Sequence, residues 1–390
     1  MKKGLDHGAI WMPHSSGNRA EFSFLPRVAG FPLHFVRRPV FDGSPRRKCL
    51  AEGVIGDLPW QSLMAGTLLP NSLPAVLSAS TDAGVPVELP CLVSIGSRGS
   101  RFWRLTVQAE PSFYQPWPKT RGASPDDIIR AVAKAARSTW IDTLTWPLPF
   151  WLEDASIPED AEVEKFETWV LELEGQYGET ERKFSQSARR NIRISGKRGV
   201  SIIERPSEAQ LREFSRLWRS SFHSQGWSGT FYTEPFFMMV PRFLRDKAHI
   251  LLARQEGRIA AGCIVIEEPE GAVYYLGALD REYKDCRPSY AVFAHAVKML
   301  CDSGKRYLNF GGAGGIGSVA SFKELWGARP KEVRCLVFKK RQKKLPVPLK
   351  AANFVLRNIG RRYFRSANLR FRALAACEAV DPAAGFMDVQ

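Results

Sequence analysis

Apolar and polar positions are most clearly patterned between Ser207 and Phe338, where the repeat switches from helical to strand-like and back. After Ser207, the residues Leu211, Phe214, Leu217, Trp218 and Phe222 recur at helical spacing, which predicts an amphipathic helix capped by the serine. A second helix is expected from Glu234 to about Leu244. Three apolar runs follow, His249 to Ala253, Ile259 to Ile266 and Ala272 to Leu279. Gln255-Glu256-Gly257 and Pro269-Glu270-Gly271 separate them as turns, so the three runs predict an antiparallel meander. Pro288 opens another helix, with Val292, Ala296, Met299 and Leu300 on one face. Ser303-Gly304 stops it before a strand at Tyr307-Leu-Asn-Phe310, expected to lie parallel to the third strand of the meander.

The N-terminal part carries a fainter copy of the latter half of this order. Phe102 to Val107 reads as a strand, Ser124-Pro125-Asp126 caps a helix through Ala136, and Trp140 to Thr145 reads as another strand. Ser156 to Asp160 is a turn, and a strand around Trp169 to Leu173 leads across to the second unit. The expected fold class is α/β (α+β), two tandem domains at 1–175 and 176–340, each a mixed sheet flanked by helices. A basic helical extension at 341–390 completes the chain.

Composition agrees with two domains: 390 residues exceed what one core usually organises, and 44% hydrophobic with 25% charged residues is ordinary for a globular chain. The seven cysteines are scattered singly, so neither a metal site nor a disulfide framework is expected. Met1-Lys2-Lys3 is followed by Gly4-Leu5-Asp6-His7 rather than by an apolar segment, and no apolar run approaches bilayer length. A cytoplasmic location follows as the expectation. The net charge of +16 is uneven, since twelve Lys and Arg and no acid fall between Lys339 and Arg372. A basic amphipathic helix from about Leu349 to Phe364 would suit the anionic inner face of a membrane, making residues 339–372 a candidate peripheral contact. The same helix could equally pack on the protein's own body.

Two segments carry a family resemblance. One is Phe184-Ser-Gln-Ser-Ala-Arg-Arg-Asn-Ile-Arg-Ile-Ser-Gly-Lys-Arg-Gly-Val200; the other is Tyr307-Leu-Asn-Phe-Gly-Gly312 followed by Ser321-Phe-Lys-Glu-Leu-Trp-Gly327. Together with the order of elements, they resemble the Fem-like proteins, double N-acetyltransferase-like (GNAT-like) relatives of aminoacyl-tRNA-dependent peptidyltransferases and of acyltransferases in polysaccharide biosynthesis. The resemblance covers residues 165–338. It implies two GNAT-like domains and transfer of an acyl or aminoacyl group to an amine on a cell-envelope or polysaccharide precursor. The co-substrate would be acyl-CoA or aminoacyl-tRNA, with no metal. The acceptor would be a small molecule or lipid-linked, and tRNA is a candidate partner. The segment Asp280 to Tyr290 departs from acetyl-CoA-binding GNAT proteins, because it lacks the glycines whose amides hold the pyrophosphate. Fem-like proteins commonly lack them too, which leaves the donor open.

Candidate chemistry gathers in three places. Arg189, Arg190 and Arg193, with Lys197 and Arg198, suit a phosphate-bearing substrate or, equally, a solvated helix face. Gly311, Gly312, Gly314 and Gly315 form a bare backbone that a substrate can approach, with Lys323 beyond it near the start of a short helix. The resemblance implies a substrate-facing role for this lysine; by sequence alone it could equally be a surface residue. Asp280 and Tyr283, where the third meander strand meets the next helix, are candidate proton-transfer residues, although the same acids could simply cap that helix. Gly312-Ala-Gly-Gly-Ile-Gly317 also matches a dinucleotide fingerprint, but the following strand ends in Lys339-Lys340 where an acid is required. A non-catalytic RNA- or precursor-binding protein on a degenerate scaffold is the alternative function. It is motivated by the basic surface and the missing pyrophosphate loop.

Overall fold

A computed structural model describes residues 33–35, 57–69, 72–95, 103–106, 117–138, 141–152, 154–224, 232–313, 317–339 and 366–376. Its centre is one twelve-stranded sheet in the order β1-β2-β3-β4-β5-β12-β6-β11-β10-β9-β8-β7. The N-terminal half supplies β1 (Leu33–Phe35), β2 (Ser72–Ser80), β3 (Pro86–Ile95), β4 (Trp103–Thr106) and β5 (Ile141–Pro147), with helices α1 (Leu58–Thr67) and α2 (Pro125–Ser138). Then come β6 (Glu162–Glu172), α3 (Tyr177–Arg182), α4 (Gln186–Lys197) and β7 (Ser201–Ile203). Helices α5 (Glu208–Ser224) and α6 (Glu234–Leu244) precede the meander β8 (Ala248–Gln255), β9 (Arg258–Glu267) and β10 (Gly271–Leu279). The chain continues through α7 (Pro288–Asp302), β11 (Tyr307–Asn309), α8 (Gly317–Leu325) and β12 (Arg329–Lys339), and a last helix α9 spans 366–376.

The expected copy is present in the topology. In the second half β10 pairs parallel with β11 across the helix α7; in the first, β4 pairs parallel with β5 across α2. Ser124 starts α2 as a reciprocal cap: its hydroxyl accepts from Asp127 N and donates to the Asp127 carboxylate at 2.7 Å. Strand-like alternation sorts side chains to the two faces of the sheet. Ile250, Leu252, Ile264 and Ile266 join a core with α1, α5 and α6, whereas Leu251, Ala253, Cys263 and Val265 face α4 and α7. The first core is continuous from the N-terminal half to the C-terminal one, with Trp60 of α1 edge-on to Tyr275 of β10.

Two strands cross over. β6 follows β5 in the chain yet pairs with β11, β12 follows β11 yet pairs with β5, and the two pair antiparallel with each other along nearly their whole length. The sequence suggested β6 as a passage between domains; in the structure it and β12 form the seam of a continuous sheet. The antiparallel pairing of β12 on both edges also excludes the parallel crossover that a dinucleotide fold needs.

The C-terminal extension places α9 on the N-terminal half. Ala367, Phe371 and Ala375 are buried there, Asn368 Nδ2 donates to Ser72 O at 2.5 Å, and Arg372 Nε donates to Gly66 O at 3.1 Å. The basic helix expected between Leu349 and Phe364 lies outside the described residues. Among the described residues no helix is long and apolar enough to cross a membrane.

Candidate functional site

β10 and β11 part company early. Their parallel pairing covers Gly271 to Val273 against Tyr307 to Asn309, after which β10 runs on to Leu279 while the other chain turns away. A bulge between Tyr274 and Leu276 in the pairing with β9 bends β10 at the same level. Phe310-Gly311-Gly312 lies where the two strands separate.

That turn is pinned from several sides. Gly311 adopts φ of 67°, a left-handed conformation that suits glycine. Its amide donates to Asn309 Oδ1 at 2.8 Å, and the same oxygen accepts from Thr168 Oγ1 at 2.6 Å. Backbone bonds from Phe310 N to Trp169 O and from Trp169 N to Gly311 O fix the turn to β6. Lys323 then reaches in from α8, donating from Nζ to Gly311 O at 2.7 Å and to Gly312 O at 2.8 Å.

Lys323 differs from its sequence-based expectation in two ways. It sits in the last turn of α8 rather than near its start, and it is 4% exposed rather than free at the surface. Its neighbours Phe322 and Trp326 turn it inward: Trp326 packs edge-on to Phe184 of the segment before α4 and tilts against Phe293 of α7. Burial pushes the lysine down from its ordinary value to about 8, with the Glu167 carboxylate opposing the shift. An ammonium has three N–H donors and the two glycine carbonyls take two, which leaves one for another group.

The other candidates are placed separately. Gly312 is partly exposed beside Lys323, whereas Gly314 and Gly315 lie outside the described residues. Arg190 and Arg193 are exposed and Arg189 is partly exposed on α4, a helix capped by Ser185, whose amide donates to Leu325 O at the end of α8. No ion pair to a carboxylate is made by these three arginines among the described residues. Phe184 and Ala188 fill the core on the opposite side, as their spacing suggested.

Asp280 and Tyr283 stand at the far end of β10, and no hydrogen bond joins either to Lys323. Asp280 Oδ1 accepts from Glu282 N at 3.0 Å and so caps the 3-10 turn Arg281–Cys286. The aspartate caps this turn rather than α7 itself, whose N-cap position is Arg287 with φ of 57°. Thr168 and Asn309, both buried, were missed by sequence reasoning. Asn309 was visible within the Tyr307 to Gly312 motif, but nothing in sequence linked it to a threonine on another strand. Among the described residues no cluster of His, Cys, Asp and Glu is placed to hold a metal.

A meander, a parallel strand that separates from it and a glycine turn at the point of separation decide the architecture, and comparison agrees. Residues 182–324 match the acetyltransferase (GNAT) domain family. The fold is GNAT-like. A crystal structure of FemX gives a TM-score of 0.55 at 12% identity, over 72% of this chain and 91% of FemX. A conserved protein of unknown function from Bacteroides thetaiotaomicron gives 0.51 at 11% identity, over 74% of this chain and 92% of its own. At such identity the likeness concerns the GNAT-like fold alone. No curated protein matches the sequence.

Proposed function

We propose that this protein transfers an acyl or aminoacyl group from an activated donor, a thioester such as acyl-CoA or an aminoacyl-tRNA, to an amine on a cell-envelope or polysaccharide precursor. The observation that carries the proposal is the Lys323 ammonium held by two glycine carbonyls where β10 and β11 separate. In such a reaction the neutral amine attacks the acyl carbonyl, a C–N bond forms and a tetrahedral oxyanion develops. The remaining Lys323 N–H is suited to stabilise that charge, and loss of one such donor typically costs about 3 kcal/mol. Collapse breaks the bond to the leaving sulfur or ribose oxygen, which takes up the proton that the amine has lost, relayed by way of Asp280 or Tyr283 at the outer end of β10. Arg189, Arg190 and Arg193 would hold phosphates of the donor or acceptor. The likeness to FemX in fold agrees with this reading, and a lipid-linked acceptor is its membrane-facing version.

The test is incubation of the protein with acetyl-CoA, or with charged tRNA, and a panel of amine acceptors, followed by mass spectrometry. A mass increase on an acceptor that requires Lys323 supports transfer. Absence of any product, together with RNA binding that weakens steeply with salt, would favour the non-catalytic reading.

A further inference from the structure

The glycine turn belongs to the C-terminal half, but the groups that fix it come from β6, the strand that crosses from the N-terminal half. Asn309 Oδ1 is the hub: it accepts from Thr168 Oγ1 and from Gly311 N, and both side chains are buried, Thr168 at 0% and Asn309 at 2% exposure. An amide on a short side chain would otherwise be free to rotate, and a rotated Asn309 would present its NH2 to the Gly311 amide, donor against donor. The Gly311 N–H, which can only donate, selects the orientation in which the oxygen faces it, and the buried Thr168 hydroxyl donates to that same oxygen and holds the side chain in place. The Gly311 carbonyl is set at the same time from the other side by Trp169 N at 3.1 Å, the residue next to Thr168. Lys323 therefore finds the Gly311 carbonyl where β6 and Asn309 set it, with the Gly312 carbonyl next along the same turn.

We propose that Thr168 and Asn309 are positioning residues that hold the Gly311 and Gly312 carbonyls around the Lys323 ammonium, so that the crossing strand completes the candidate site. Neither residue is placed to touch a substrate. What the ammonium is for rests on the transfer reaction proposed above. The contacts themselves do not, so a test that needs no substrate separates the two.

That test follows the Lys323 Cε resonance with pH in protein carrying 13Cε-lysine, the signal being identified by its absence in Lys323→Arg. The one charged group acting on Lys323 is the Glu167 carboxylate of β6, and the two glycine carbonyls act on it as neutral dipoles. Thr168→Val keeps the shape and removes the donor. Once the carbonyls are released, the still-buried ammonium loses its acceptors, and its titration midpoint falls by about one pH unit relative to wild type. Thr168→Ser restores the hydroxyl and the wild-type midpoint, a rescue that side-chain bulk alone would not give. Should Thr168→Val fail to fold, Thr168→Ala is compared with Thr168→Ser in the same way, and Asn309→Asp, which keeps an acceptor for both donors, retains the folded turn. A folded valine or alanine variant whose Lys323 titrates as in wild type, or higher, overturns the proposal.

Discussion

Gly327 lies directly against Lys183: a Cβ built on the glycine falls 2.8 Å from the Lys183 carbonyl oxygen. This glycine ends the Ser321 to Gly327 motif with φ of 79° and joins α8 to β12. Gly327→Ala therefore meets both a steric and a conformational penalty, and a loss of roughly 2 kcal/mol or more is expected in urea unfolding. A neutral result would show that the segment before α4 yields easily.

The buried Lys323 on the glycine turn makes two pH dependences. Its ordinary value is 10.5 and burial lowers it to about 8 in the folded chain. Between these values the unfolded chain binds the proton and the folded chain does not, so stability rises with pH across that window. Lys323→Met should abolish this rise, as read by unfolding at pH 7 and pH 10. Transfer should respond oppositely, falling above about pH 8 as the ammonium is lost. Arginine stays protonated, so any activity retained by Lys323→Arg should persist to higher pH. Because Lys323 is buried, Lys323→Ala leaves a cavity and takes a donor from both glycine carbonyls, of which Gly311 O keeps Trp169 N. The longer substitutions are cleaner probes.

Much of the second half was legible because its elements are set locally. The Ser207 cap is real, its amide accepted by Gln210 Oε1 at 2.8 Å, and α6 runs from Glu234 to Leu244 as the pattern indicated. The three-strand meander and the Pro288 helix obey the same short-range rules of period and punctuation. What escaped depends on residues distant in the chain. Thr168 and Asn309 are 141 positions apart, and β12 carries no local mark of pairing with both β5 and β6. For Lys323 the sequence alone could not separate a substrate-facing residue from a surface one, because a short helix with a lysine normally points it outward. Only the turn of Trp326 into the aromatic core reverses that.

Acid should loosen the far side of the sheet. Glu267 at the end of β9 accepts from His249 of the neighbouring strand β8 at 2.7 Å and pairs at 3.0 Å with Lys305, which lies between α7 and β11. The His249 hydrogen bond is the largest influence, and with Lys305 it pulls the carboxyl from its ordinary 4.5 down to about 2. The contribution to stability is present above pH 4.5 and is lost as pH falls toward 2, on the order of 2 kcal/mol. Glu267→Gln should unfold with less acid dependence over that range in a circular-dichroism titration. An identical acid profile would remove this cluster from the balance.

The last helix should stabilise the first half. Phe371 is 2% exposed against the core that includes α1 and β2, and Phe371→Ala is expected to cost about 3–5 kcal/mol. Thermal unfolding of the full chain measures it. A version ending at Phe338 removes this helix along with the basic stretch that precedes it. Liposome flotation is therefore better done with charge-neutralised full-length protein, where loss of binding to anionic vesicles would implicate the stretch and unchanged binding would exclude it.

The exchange of β6 and β12 has a temporal side. A ribosome delivers β5 long before β12, and until residues near Lys339 emerge the first half has an open strand edge at β5 with no partner. Such an edge is a template for pairing with other chains, and the nascent protein must protect it while nearly 200 further residues are made. The crossing that unites the finished sheet thus makes the two halves mutually dependent during synthesis. Expressed separately, each would present to the cell the edge that the other was built to cover.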